Sequence, residues 1–156
     1  MQVCEVLRVL DALEAGGVAC WVLGGWGVDA LVGRQTRDHR DLDVAVDAAQ
    51  LDQGLVTVHA LGYTVETDWL PVRVELVAAA GWVDVHPVVF DSSGHGVQAG
   101  LDGVTFDYPA KDLQHGVLGG RTVSCISAAH QIRVHSGYEH RPQDVHDLEQ
   151  LRALTT

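Results

Sequence analysis

The sequence predicts an α/β (α+β) fold, a mixed sheet flanked by helices with two further helices closing the chain. Three observations carry this. Helical spacing near the N-terminus gives way to a short apolar run and a glycine pair. A segment of strict period two follows, and then three strand-like runs, two of them joined by a tight turn. Helix, strand, helix and then hairpin strands indicate a mixed sheet rather than a doubly wound one.

Val3, Val6, Leu7, Leu10 and Leu13 recur with helical spacing, and Gly16-Gly17 ends that helix. Ala19 to Leu23 is a short apolar strand. Gly24-Gly25 makes a turn, and Trp26 to Val32 forms a short helix closed by Gly33. GRQTRDHR is polar and reads as a loop. In the strand from Asp41 to Val46, Asp41, Asp43 and Ala45 face one way and Leu42, Val44 and Val46 the other. Leu51, Leu55 and Val58 mark another helix, stopped by Gly62. Strands are predicted at Tyr63 to Thr67, Val72 to Ala78 and Trp82 to Val89, the last two a hairpin closed by AAAG. Asp91 to Gly103 reads as a loop. Phe106, Tyr108 and VLGGRTVSCI suggest short strands or turns. One closing helix runs from about Ala128 to Tyr138. The other starts near Pro142 and carries Val145, Leu148 and Leu151. No repeat or linker interrupts residues 1–156, which read as one domain.

Composition narrows the function. With 156 residues and 47% apolar side chains, the chain can bury a core. The formal charge of −11 counts against nucleic acid as the main partner, because a phosphate backbone needs clustered Lys and Arg. It suits metal ions or a cationic small molecule. No apolar run is long enough to span a bilayer, and the N-terminus lacks the marks of a signal peptide. Cys4, Cys20 and Cys125 lie far apart, as expected of buried thiols in a reducing cytoplasm.

Asp41 and Asp43 carry the first chemical signal. Two carboxylates on one strand face repel each other and favour a cation between them, and hard oxygen ligands suit Mg²⁺ with substrate phosphates. Gly24-Gly25, between a strand and a helix, lets the backbone approach a phosphate. Arg34, Arg37, His39 and Arg40 can pair with a triphosphate or neutralise the acids. A third acid would complete a two-metal site. Asp84, which shares a face with His86 in WVDVHP, and Glu75 in VRVEL are the candidates, and periodicity does not choose between them. His130, His135, His140 and His146 read as surface or satisfied histidines, with His135 and Tyr138 the best placed to line a pocket. Trp21, Trp26, Trp69 and Trp82 read as core residues, although the polar neighbours of Trp69 leave it able to face a sugar or a base.

The segments WVLGGWGVDALVG, TRDHRDLDVAVD, GYTVETDWLPVRVELV, WVDVHPV and SCISAAHQIRVHSGY resemble the small lincosamide nucleotidyltransferases, which inactivate lincomycin and clindamycin. GGWGVD and the D-x-D strand also resemble the aminoglycoside 2″-nucleotidyltransferases, another branch of the polymerase-β-like nucleotidyltransferase superfamily. The resemblance implies that Asp41, Asp43 and Asp84 hold Mg²⁺ and that Asp84 is the third catalytic carboxylate. It implies an NTP co-substrate, ATP by expectation, held by Gly24, Gly25, Arg37 and Arg40. His86, Glu75, Trp69, His135 and Tyr138 are the expected acceptor contacts. Where His86 stands, the aminoglycoside branch has a second acid and the lincosamide branch a histidine. Two departures stand out: Gly24-Gly25 replaces the superfamily's common Gly-Ser, and Ala45 replaces an acid of the lincosamide branch. The expected partners are a small antibiotic and a nucleoside triphosphate in the cytoplasm, with no nucleic acid and no membrane, and a homodimer is expected. The alternatives are the same chemistry on an aminoglycoside or a protein hydroxyl, or a catalytically silent, antitoxin-like binding module.

Overall fold

A computed structural model describes residues 1–135 and 139–154. In chain order its elements are α1 (Val3–Ala15), β1 (Cys20–Val22), α2 (Gly24–Val32), β2 (Asp41–Asp47), α3 (Leu51–Ala60), β3 (Thr64–Trp69), β4 (Arg73–Ala78) and β5 (Gly81–Phe90). They are followed by β6 (Gly96–Ala99), β7 (Thr105–Tyr108), β8 (Leu113–Leu118), β9 (Arg121–Ile126), α4 (Ala128–Val134) and α5 (Pro142–Leu154). The strands form one mixed sheet in the order β3-β4-β5-β2-β1-β9-β8, with β6 and β7 added at the far end of β5. No helix among the described residues is long and apolar enough to cross a membrane.

Alternation along the strands sets the core. Leu42, Val44 and Val46 of β2 point into the main apolar cluster with Val83 and Val85 of β5, Val74 and Leu76 of β4, and Val6, Leu10 and Leu13 of α1. A smaller cluster of Leu23, Ala45, Val88, Tyr108 and Ile126 lies on the other face, beside the acids. Ala45 is therefore fully buried, and an acid there would enter an apolar setting.

Five details differ from the sequence reading. Gly24 and Gly25 form the first turn of α2 rather than a separate turn before it. Residues 91–103 are not all loop, because the ten-residue β5 outruns β2 and its end recruits β6 as an antiparallel partner. The first closing helix ends at Val134, and Tyr138 lies outside the described residues. Val145 is 46% exposed, since the inward face of α5 is Asp144, Asp147, Leu148 and Leu151. Cys4 is exposed on α1 rather than buried.

Candidate active site

Parallel pairing of β2 with β5 sets Asp43 opposite Asp84, and antiparallel pairing of β5 with β4 sets Asp84 opposite Glu75. Paired residues point to the same side of a sheet, so three strands contribute one row of carboxylates. His86, two residues beyond Asp84, shares that face. Ligand atoms of Asp43, Asp84 and His86 lie within 4.8 Å of one another.

The members of this row differ in their partners. Asp84 is 3% exposed, and its Oδ1 has no hydrogen-bond partner. Burial, and next the charge of Asp43, push its carboxyl up to about 7. Burial works in the same direction on Asp43, but the hydrogen bond from His86, with the charges of Arg73 and Arg40, holds it below the usual carboxylate range. Glu75 is paired with Arg73 at 2.5 Å. Asp41 also faces this side, but it pairs with Arg40 at 2.9 Å and stands outside the compact group.

The row forms the wall of a cavity of about 840 Å³ that also reaches Gly24, Gly25, Arg37 and Arg40. The Leu23 N–H donates to the Asp43 carbonyl at 2.9 Å, which seats the start of α2 over the acids. Gly24 has φ +55°, and a β-carbon there would collide with Asp43 Oδ2. A β-carbon on Gly25 would meet Arg37 and His39. The glycine pair is thus needed for the close approach of α2, the 33–40 loop and β2.

Arg37 lies in the wall but donates to both oxygens of Asp147, at 2.8 and 2.6 Å. Arg40 stacks on Trp82 at 5.0 Å. His39 is buried, bonded to Asp29 at 2.6 Å and packed on Trp26, and it supports the loop rather than facing the cavity. His135 lines the cavity with its Nδ1 on the Gln131 carbonyl at 2.7 Å. Trp69 lies outside the cavity, and Arg73, which lines it, stacks on the indole at 4.9 Å. His86 is among the expected acceptor contacts. Both of its ring nitrogens are engaged instead, Nε2 with Asp43 at 3.2 Å and Nδ1 with Gln98 at 3.1 Å.

The lining residues that escaped the sequence reading include Arg73, Gln98, Tyr108 and Gln131. Gln131 is fully buried and its amide donates to the Gly24 carbonyl at 3.3 Å, tying α4 to α2. No local pattern marks any of the four. Gln98 and Tyr108 reach the site only through the β5-β6-β7 pairing.

Comparison with known proteins adds to this geometry. The family model for aminoglycoside-2″-adenylyltransferase matches residues 5–151. The chain is 34% identical over 152 residues to a lincosamide resistance protein of Staphylococcus haemolyticus, spanning 97% of this chain and 94% of that protein. It is 27% identical over 130 residues to a 2″-aminoglycoside nucleotidyltransferase of Klebsiella pneumoniae, spanning 81% and 68%. A crystal structure of the lincosamide antibiotic adenylyltransferase LnuA with lincomycin bound matches with TM-score 0.89 and 32% identity, over 99% of this chain and 98% of that one. ANT(2″)-Ia in complex with adenylyl-2″-tobramycin matches with TM-score 0.76 and 19% identity, over 99% and 90%, a likeness of fold alone.

Proposed function

The chain belongs to the aminoglycoside-2″-adenylyltransferase family, and from that premise we propose that it moves a nucleoside monophosphate from an NTP to a hydroxyl of a lincosamide, releasing pyrophosphate. The observation that carries the chemistry is the facing pair of half-buried Asp43 and buried Asp84 beside the glycine-opened start of α2. The acceptor class follows from 34% identity, over 97% of the chain, to a protein of lincosamide resistance.

The donor set fits a divalent cation. Asp84 Oδ1 is buried without a partner, which is costly unless something positive meets it. Carboxylate oxygens suit Mg²⁺. Asp43, Asp84 and Asp41 would hold it, with Asp41 giving up Arg40, since a largely exposed ion pair is worth little. When bound, Mg²⁺ neutralises charge on the phosphates and lowers the pKa of a coordinated hydroxyl.

The chain's own residues do the rest. Backbone N–H groups at Gly24 and Gly25, at the start of α2, face the triphosphate, with Arg37 and Arg40 adding positive charge. Asp84 takes the proton of the attacking hydroxyl as general base. Glu75 and His135, which line the cavity, contact the acceptor. Arg73, held between Glu75 and Asp84, offsets part of the acidic charge that would draw a polycation to the wall. The work is done in the cytoplasm, where nucleotide and Mg²⁺ are supplied.

Labelled ATP with Mg²⁺ and a panel of acceptors tests this reading. Lincomycin or clindamycin should gain the label with higher kcat/KM than kanamycin or tobramycin. A preference for an aminoglycoside over both lincosamides would move the protein to the other acceptor class.

A further inference from the structure

A polar chain runs behind the acid row through an apolar setting. The Tyr108 hydroxyl is 2.6 Å from Gln98 Oε1. Gln98 Nε2 is 3.1 Å from His86 Nδ1, and His86 Nε2 is 3.2 Å from Asp43 Oδ1. Tyr108 is 2% exposed and Gln98 6%, and the neighbours of Tyr108 are Leu23, Ala45, Val88 and Ile126. Buried polar groups in such a setting are stable only if each donor meets an acceptor.

One end sets the polarity of the whole chain. An ionised carboxylate only accepts, so His86 Nε2 must carry the hydrogen it gives to Asp43. In the neutral ring Nδ1 is then an acceptor, which requires the NH₂ of Gln98 to face it. Gln98 Oε1 therefore faces Tyr108, whose hydroxyl donates. Asp43 is left with its other oxygen, Oδ2, on the side of Gly24.

We infer that Tyr108, Gln98 and His86 are positioning residues: they hold His86 as its Nε2–H tautomer, which caps Asp43 Oδ1 and keeps Oδ2 open toward the phosphate side. His86 is then not a metal ligand, despite lying within 4.8 Å of both acids, because its near nitrogen has no lone pair to offer. It orients a ligand in the way an outer hydrogen bond orients a metal-bound group. The catalytic part of the inference rests on Asp43 holding an ion, as proposed above; the tautomer does not.

The test uses the full chain with ¹⁵N-labelled histidine and no added ion, with His86 assigned from the signal lost in His86→Gln. The wild-type spectrum should show a protonated Nε2 and a bare Nδ1. Gln98→Glu is nearly isosteric and offers only an acceptor, so Nδ1 should gain a proton while Nε2 keeps its own, and the cationic ring should pair with Asp43 in competition with the ion. In that variant kcat should fall about 10- to 100-fold with the KM for ATP little changed. Tyr108→Phe, which frees the amide to turn over, should show the same loss on a smaller scale. A proton on Nδ1 in the wild type would overturn the inference, as would full kcat in Gln98→Glu once its Nδ1 is protonated. If the wild type itself transfers no nucleotide, the functional proposal falls, while the wild-type spectrum still decides the tautomer.

Discussion

Asp29 in α2 and Asp84 in β5 are both almost wholly buried, and they are treated in opposite ways. Asp29 accepts from the Thr36 N–H at 3.0 Å, the Thr36 hydroxyl at 2.6 Å and His39 Nε2 at 2.6 Å. Asp84 has one oxygen with no partner, and its nearest cation, Arg73, is 3.8 Å away. Asp112, Asp144 and Asp147 follow the first pattern, each satisfied by an arginine or a serine. A fold that satisfies its buried acids elsewhere leaves this one open. Asp29 holds the 33–40 loop in place, and the loop presents Arg37 and Arg40 to the cavity. Asp84 carries a cost that only a ligand offsets.

Breaking the open side should have the largest effect. Asp43→Asn removes a carboxylate from the pair and should lower turnover about a thousandfold while the protein stays folded. Asp41→Asn should do the same if Asp41 joins the ion; loss within tenfold would limit the site to Asp43 and Asp84. On the satisfied side, Asp29→Ala leaves the donors of Thr36 and His39 without an acceptor. It should cost roughly 2–4 kcal/mol in urea unfolding. Stability unchanged by Asp29→Ala would show that the loop does not depend on this carboxylate.

The contrast between the two acids was only partly legible in the sequence. Period two in DLDVAV and WVDVHP put Asp41 with Asp43, and Asp84 with His86, on single strand faces. It could not rank Asp84 against Glu75, because register between strands is a tertiary property. Pairing places both in the row, and burial separates them: Asp84 is open and sealed from water, Glu75 is tied to Arg73. The pattern also pointed Ala45 toward the acid side, without revealing that Leu23, Val88, Tyr108 and Ile126 cover it. Gln98 stayed hidden because GVQA is short, flanked by glycines, and becomes a strand only when the end of β5 offers an edge. His39 read as one of a run of cations, yet α2 buries it against Asp29 and Trp26.

The smallest effect sharpens the same contrast through pH. The Asp84 carboxyl is near 7 in the folded, ion-free protein and near 4 when unfolded, so the fold binds the proton more tightly. Its contribution to stability is full below about pH 4 and is lost as pH rises through about 7. The ion-free wild type should therefore weaken between pH 5 and pH 8 by about 2 kcal/mol. Asp84→Asn should be flatter over that range and more stable at its upper end. Parallel curves for the two proteins would mean that Asp84 is ionised in the fold without cost.

The central claim, that the open carboxylate does the chemistry, is met most directly by single-turnover transfer from labelled ATP to lincomycin with Mg²⁺ saturating. The variants to compare are Asp84→Asn and Glu75→Gln. Asp84→Asn should slow transfer by about a hundredfold or more with ATP binding largely intact, and Glu75→Gln should cost far less. A faster Asp84→Asn than Glu75→Gln would contradict the claim and give the role of base to Glu75.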